Sequence, residues 1–174
     1  MCQEVAARKW PPGVVIRNRA NYPSERKDNM QDLPHQYYVS AHAETAGNIV
    51  LKADDLPQLI SAPPAEFGGP GDQWSPEHLL VAAVADCFIL TFRAIARASK
   101  LEWSSLESSA VGVLDRVDRV NRFTSFTVSA TLTVAASTDI DKAQRLLEKS
   151  ESACLITNSL TAECHLETDI VVES

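Results

Sequence analysis

The sequence predicts an α+β domain in which a mainly antiparallel sheet packs around one long central helix. Three observations carry this expectation: a single long apolar-periodic segment from Ser75 to Lys100, short runs of period-two alternation on either side of it, and a second amphipathic segment that begins near Ile140. The expected order is strands, long helix, strands, helix, strand.

With 174 residues, 45% of them hydrophobic, the chain is long enough for one domain with a real core. Residues 1–35 carry Trp10, the pair Pro11-Pro12 and mixed charge without periodicity, which suits an N-terminal arm with an apolar patch at Val14, Val15 and Ile16. Residues 36–174 then form the single domain. Sixteen basic against 23 acidic residues give a net charge of −7, with no lysine or arginine stripe to hold phosphates. Neither nucleic acid nor an anionic membrane is the expected partner. No apolar run is expected to span a membrane, and the first 30 residues lack the apolar core of a secretory signal, so a cytoplasmic location is expected.

In chain order, QYYVSAHAE at 36–44 alternates like a strand, Gly47-Asn48 turns, and Ile49 to Ala53 completes a hairpin. Leu56 to Ala62 adds a short strand before PPAEFGGPGDQW, a loop whose glycines match no phosphate-binding pattern. Ser75 is a good N-cap, Pro76 occupies the first helical position where its missing N–H costs nothing, and Glu77 sets negative charge against the helix dipole. An inner stripe is expected at Leu79, Leu80, Ala83, Cys87, Leu90, Thr91, Ala94, Ile95 and Ala98, with Arg93, Arg97 and Lys100 in the last turns. Leu106 to Asp115 is a strand, RVDRVNR an exposed charged connection, and 124–135 a half-buried strand with Phe126, Val128, Ala130, Leu132 and Val134 inward. Thr138 with Asp141 forms a capping box for a helix whose stripe is Ile140, Ala143, Leu146 and Leu147 and which ends near Ser150. SACLITNSL, which contains Cys154, is a brief helical segment, and Cys164 to Val172 is the last strand, with Cys164 expected in the core.

Cys2, Cys87, Cys154 and Cys164 are too few for a disulfide scaffold and rest as thiols in a reducing compartment. No cysteine or histidine pair has metal-ligand spacing; Cys164 and His165 point to opposite faces of a strand. A buried mid-helix cysteine such as Cys87 is reactive only with a tertiary base or cation, because the macrodipole acts in the terminal turns.

SPEHLLVAAVADCF, with Cys154 in SACLITNSL and a closing strand beyond, resembles the OsmC/Ohr family of thiol-dependent peroxidases over roughly residues 37–172. The Pro-Glu pair opening the helix and the cysteine ten residues after the glutamate match in place; many members carry proline directly after the second cysteine, where this chain has Leu155. The resemblance implies an OsmC-like fold in an intertwined homodimer that reduces organic hydroperoxides or hydrogen peroxide. It implies that Cys87 is the peroxidatic thiol and passes through a sulfenic acid, and that Cys154 is the resolving thiol that closes a disulfide. No metal or flavin is implied, only an external dithiol reductant. Glu77 matches the glutamate that orients an arginine beside the reactive sulfur. That arginine comes from the first hairpin, and HAETAGNIVLK contains none; His42 and Lys52 are the nearest basic residues, with Arg17, Arg19, Arg116, Arg119 and Arg122 as further sources. The alternative function is a catalytically weak dimer of the same fold that binds or senses a small lipophilic or electrophilic molecule. Ten residues of straight helix put Glu77 about 15 Å from Cys87, so a site that uses both draws one of them from a second copy.

Overall fold

In the computed structural model of the chain, residues 32–173 are described. Cys2, Arg17, Arg19 and all but the last few residues of the expected arm lie outside them. The chain divides into two units, Met1–Tyr37 and Tyr38–Ser174, and every helix and strand among the described residues belongs to the second.

Three short strands come first: β1 (Ser40–His42), β2 (Ile49–Lys52) and β3 (Leu59–Ser61), an antiparallel sheet in sequence order. β1 is shorter than the alternation at 36–44 suggests. Val39 there is 63% exposed, so the alternating residues have no core to face. The loop after β3 folds back on itself. A Cβ on Gly69 would lie 1.7 Å from the Pro63 carbonyl oxygen, which only glycine permits. The loop closes with a bridge between Ser61 and Trp74, where the Ala62 N–H donates to the Trp74 carbonyl at 2.9 Å. This fixes the end of the first sheet beside the start of the long helix.

The long helix, α1 (Pro76–Ala98), begins as its sequence dictates: Ser75 is the N-cap, and its Oγ accepts from the His78 N–H at 3.2 Å. Its buried residues are Val84, Phe88, Phe92 and Ala96. The expected stripe is therefore displaced by about one position, with Leu79, Leu80, Ala83, Cys87, Thr91 and Ile95 half-buried, Ala94 and Ala98 exposed, and Leu90 53% exposed. The charged residues Asp86, Arg93 and Arg97 share the exposed face opposite the four buried residues, and the broad apolar remainder of α1 leaves the two phenylalanines, rather than the small residues of the expected stripe, to take the sheet-facing position. By length and composition α1 also passes for a membrane span, against the sequence expectation; it packs on β4 and the second helix, and Val84, Phe88, Phe92 and Ala96 belong to the core.

β4 (Ser105–Val117) and β5 (Val120–Val134) form a long hairpin, and β6 (Glu163–Val172) pairs with β5 in parallel. The expected exposed connection at 116–122 is ladder instead: Arg116 pairs with Asn121 and Val117 with Val120, around a two-residue turn. Asp118 and Arg119 hold φ of 52° and 66°, the left-handed pair that matches the twist of a tight hairpin. Between β5 and β6 runs α2 (Ile140–Ser152), whose N-cap is Asp139 rather than Thr138; the Asp139 carboxylate accepts from the Lys142 N–H at 2.9 Å. Ile140, expected inside, is 39% exposed, whereas Ala143, Leu146, Leu147 and Ser150 are buried.

α1 packs on β4 and α2, and α2 packs on β6, so both helices cover one face of the second sheet. Phe126, Val128, Ala130, Leu132 and Val134 all point into that interface as the alternation predicts, and each is buried. At Gly112 the helix comes close: a Cβ would meet Val81 Cγ2 at 2.9 Å and the rings of Phe123 and Phe126 at 2.8 and 2.9 Å. The core contains no residue of β1, β2 or β3. The fold is α+β with helices on one face, but its strands form two three-stranded sheets, and the second is mixed.

Candidate thiol site

Cys87 lies at the middle of α1, one turn before Thr91, whose Oγ1 is 3.9 Å from the Cys87 sulfur. Cys154 follows the end of α2, where Ala153 is the C-cap and the Cys154 N–H donates to the Glu151 carbonyl at 3.2 Å. The packing of α1 on α2 brings the two cysteines into hydrogen-bonding contact across 66 intervening residues of sequence. Both are free thiols.

The two sulfurs have unequal surroundings. Partial burial pushes the Cys87 thiol up, but hydrogen bonds from the Ile156 backbone N–H, the Cys154 thiol, the Thr91 hydroxyl and the Leu155 backbone N–H outweigh it and hold Cys87 below the ordinary cysteine value. Cys154 is 1% exposed, and burial raises it despite hydrogen bonds from the Thr157 N–H and hydroxyl; the neighbouring Cys87 raises it further. Cys87 is thus the more readily ionised of the pair, and Cys154 the thiol that donates to it. The chain after Cys154 supplies the donors: it turns through a short 3-10 segment, Thr157–Ser159, with the Asn158 N–H on the Cys154 carbonyl at 3.1 Å. A proline at 155 would have no N–H to give.

Glu77 stands in the first turn of α1, away from the pair. Its Oε2 is buried and has no hydrogen-bond partner among the described residues. Ser75 and His78 beside it are occupied with each other, Oγ to Nδ1 at 2.9 Å, and the Trp74 ring meets His78 edge-on. Of the candidate basic residues, His42 and Lys52 sit on the first sheet, Arg116 is bonded through Nε to Asn121 Oδ1 at 2.9 Å, and Arg119 and Arg122 lie in the hairpin. The structure therefore joins two of the three expected site residues and leaves Glu77 apart.

Sequence reasoning missed the Leu155 and Ile156 amides, because a backbone donor has no side-chain signature. It also placed Cys164 in the core. Cys164 is instead half-buried at the core's edge, its sulfur 3.8 Å from the Ala162 carbonyl, and it lines an open pocket of about 340 Å³ between α2 and β6. Burial, the Glu151 carboxylate and Cys154 all push its thiol up.

Known proteins agree with this architecture. The YmaD protein of Bacillus subtilis is 26% identical over 144 residues, covering 80% of this chain and 95% of that protein. An OsmC-like protein of Vibrio cholerae superposes with a TM-score of 0.70 at 15% identity, covering 78% of this chain and 99% of that one. Two proteins named for organic hydroperoxide resistance share the fold. The one from Legionella pneumophila has a TM-score of 0.64 at 21% identity, with 80% and 99% of the two chains covered. The one from Elizabethkingia anophelis has a TM-score of 0.67 at 17% identity, with 82% and 100% covered. The family model for OsmC-like proteins matches residues 69–169, which hold α1, Cys87 and Cys154, and the chain belongs to the OsmC/Ohr family.

Proposed function

We propose that this protein reduces organic hydroperoxides or hydrogen peroxide, with Cys87 as the attacking thiolate and Cys154 as the resolving thiol. The observation that carries the reading is the inequality of the two touching sulfurs, one held below its ordinary value by backbone amides and the other above. The thiolate is the nucleophile, so the lowered group attacks. Cys87 bonds to one peroxide oxygen as the O–O bond breaks; the other oxygen takes a proton and leaves as alcohol or water. The sulfenic acid on Cys87 is then attacked by Cys154, water departs, and a Cys87–Cys154 disulfide remains. An external dithiol returns both to thiols, so the cycle calls on no metal or flavin. The names of the Legionella and Elizabethkingia relatives favour organic hydroperoxides as substrate. A working state of reduced thiols suits the cytoplasm.

The same reading includes a homodimer. α1 is apolar over most of its circumference, yet one stripe alone is buried within the chain, and the first sheet lies outside the core. A second copy covers both and presents a cation to Glu77 Oε2, which has no partner among the described residues. A second function keeps its own support: with no arginine between His42 and Lys52, the alternative is a weakly catalytic dimer that binds or senses a lipophilic or electrophilic molecule beside Cys87. Consumption of cumene hydroperoxide with dithiothreitol separates the two. Turnover that disappears in Cys87→Ser supports the peroxidase; equal and negligible rates in both proteins overturn it.

A further inference from the structure

We propose that the Thr91 hydroxyl is the proton shuttle of the peroxide step: it takes the proton from the oxygen that Cys87 attacks and gives its own to the oxygen that leaves. The proposal rests on the peroxidase reading above and assigns the source of the proton that the departing oxygen takes.

Spacing and contact motivate it. Thr91 lies four residues after Cys87, one turn along the same side of α1, and its Oγ1 is 3.9 Å from the Cys87 sulfur. At that distance one hydroxyl can meet both oxygens of a peroxide seated on the sulfur, at about 3 Å each. Thr91 is half-buried, so substrate can reach it, and its hydroxyl has no other hydrogen-bond partner among the described residues to hold its proton elsewhere. The remaining donors on Cys87 are unsuited to the transfer. The Leu155 and Ile156 amides give hydrogen bonds and accept none, while the Cys154 thiol is 1% exposed and is consumed in the following step. Of the four groups, the hydroxyl is the one that both gives and accepts a strong hydrogen bond.

The step balances without an external acid. The Cys87 thiolate bonds to the oxygen that carries the hydrogen as the O–O bond breaks, and the electron pair of that bond goes to the alkyl-bearing oxygen. The hydrogen of the attacked oxygen passes to Thr91 Oγ1 while the Thr91 hydrogen passes to the departing oxygen. Sulfur is oxidised and the peroxide reduced: alcohol leaves, a sulfenate stays on Cys87, and Thr91 ends as it began. The sulfenate takes a proton from water and becomes the sulfenic acid that Cys154 attacks. The gain is that an alcohol departs in place of an alkoxide.

Two reagents separate this role from a structural one, because iodoacetamide needs the Cys87 thiolate but no proton transfer, whereas cumene hydroperoxide needs both. Rates at Cys87 are followed by peptide mass in the full chain, against pH, up to the plateau where Cys87 is ionised, so that a change in thiolate fraction drops out. Thr91→Val is expected to lower the plateau rate of oxidation about 100-fold and to leave that of alkylation near wild type. Thr91→Ser, which keeps the hydroxyl, is expected to restore oxidation. Oxidation that does not fall in Thr91→Val, that falls together with alkylation, or that stays slow in Thr91→Ser overturns the shuttle and leaves the peroxidase standing. In the wild type, oxidation at the plateau is expected to be slower in deuterated water and alkylation is not; equal isotope effects overturn the shuttle whether or not the valine variant folds. A wild-type Cys87 that iodoacetamide modifies and peroxide does not overturns both readings.

Discussion

At Cys87, burial and hydrogen bonding oppose each other, and hydrogen bonding wins. Two of the donors are backbone amides, those of Leu155 and Ile156, which supply the stabilisation that the first hairpin, lacking arginine, does not supply from within the chain. The sign of the pH dependence is set by these shifts. A lowered folded-state value means that Cys87 ionises, and reacts with iodoacetamide, at lower pH than an ordinary thiol, while the raised Cys154 and Cys164 react at higher pH. Rates of modification at each cysteine, followed against pH by peptide mass, check the order; a Cys87 that reacts last contradicts it. Leu155 is 76% exposed, so its side chain is dispensable and its N–H is not. Leu155→Pro is expected to raise the Cys87 value and slow its alkylation near neutral pH, by about tenfold for each unit of rise, while Leu155→Ala stays close to wild type. Equal rates in the two variants would remove the amide from the site.

The helices and hairpin are where local signals and tertiary packing part company. Asp139, not Thr138, caps α2, so Asp139→Ala is expected to cost about 1 kcal/mol in urea unfolding and Thr138→Ala close to nothing. The reverse order would restore the capping box that the sequence suggests. At the crossing of α1 over β4, Gly112 leaves room for Val81, Phe123 and Phe126. Gly112→Val overfills that contact and is expected to cost about 1–3 kcal/mol, whereas Phe126→Ala empties the same region and costs about 3–5 kcal/mol. The five inward residues of β5 were legible because strict alternation with one buried face admits one register. The inner side of α1 was less legible, because its apolar arc is far wider than the stripe it buries, and only Asp86, Arg93 and Arg97 mark the outer side.

For the whole molecule, the apolar side chains left exposed bear on the dimer proposed above. Leu90 at 53% exposed, Val111 at 63% and Val120 at 59% belong to α1 and the long hairpin, and the first sheet has little apolar cover of its own. Covering a large apolar side chain contributes roughly 1.5–3 kcal/mol, so a handful of such residues outweighs the stability expected of an isolated domain. The expected outcome is an obligate dimer with no stable folded monomer on dilution. Sedimentation at micromolar concentration that finds a folded species near 19.0 kDa would refute it. Glu77→Ala probes the shared site separately: thiol reactivity should fall while the dimer and its helix content persist.

The sequence by itself determined the elements that depend on neighbours in the chain. Ser75, Pro76 and Glu77 start α1, the alternation at 124–135 makes β5, and the placing of Cys87, Cys154 and Glu77 within their motifs marks the family; caps, periodicity and motif spacing are local quantities. Only the tertiary structure decided that Cys154 touches Cys87, that two backbone amides donate to the Cys87 sulfur, that β6 runs parallel to β5, and that Cys164 opens on a pocket. Each of these depends on which surfaces meet after helices and strands have formed. A donor without a side chain leaves no mark in the order of residues.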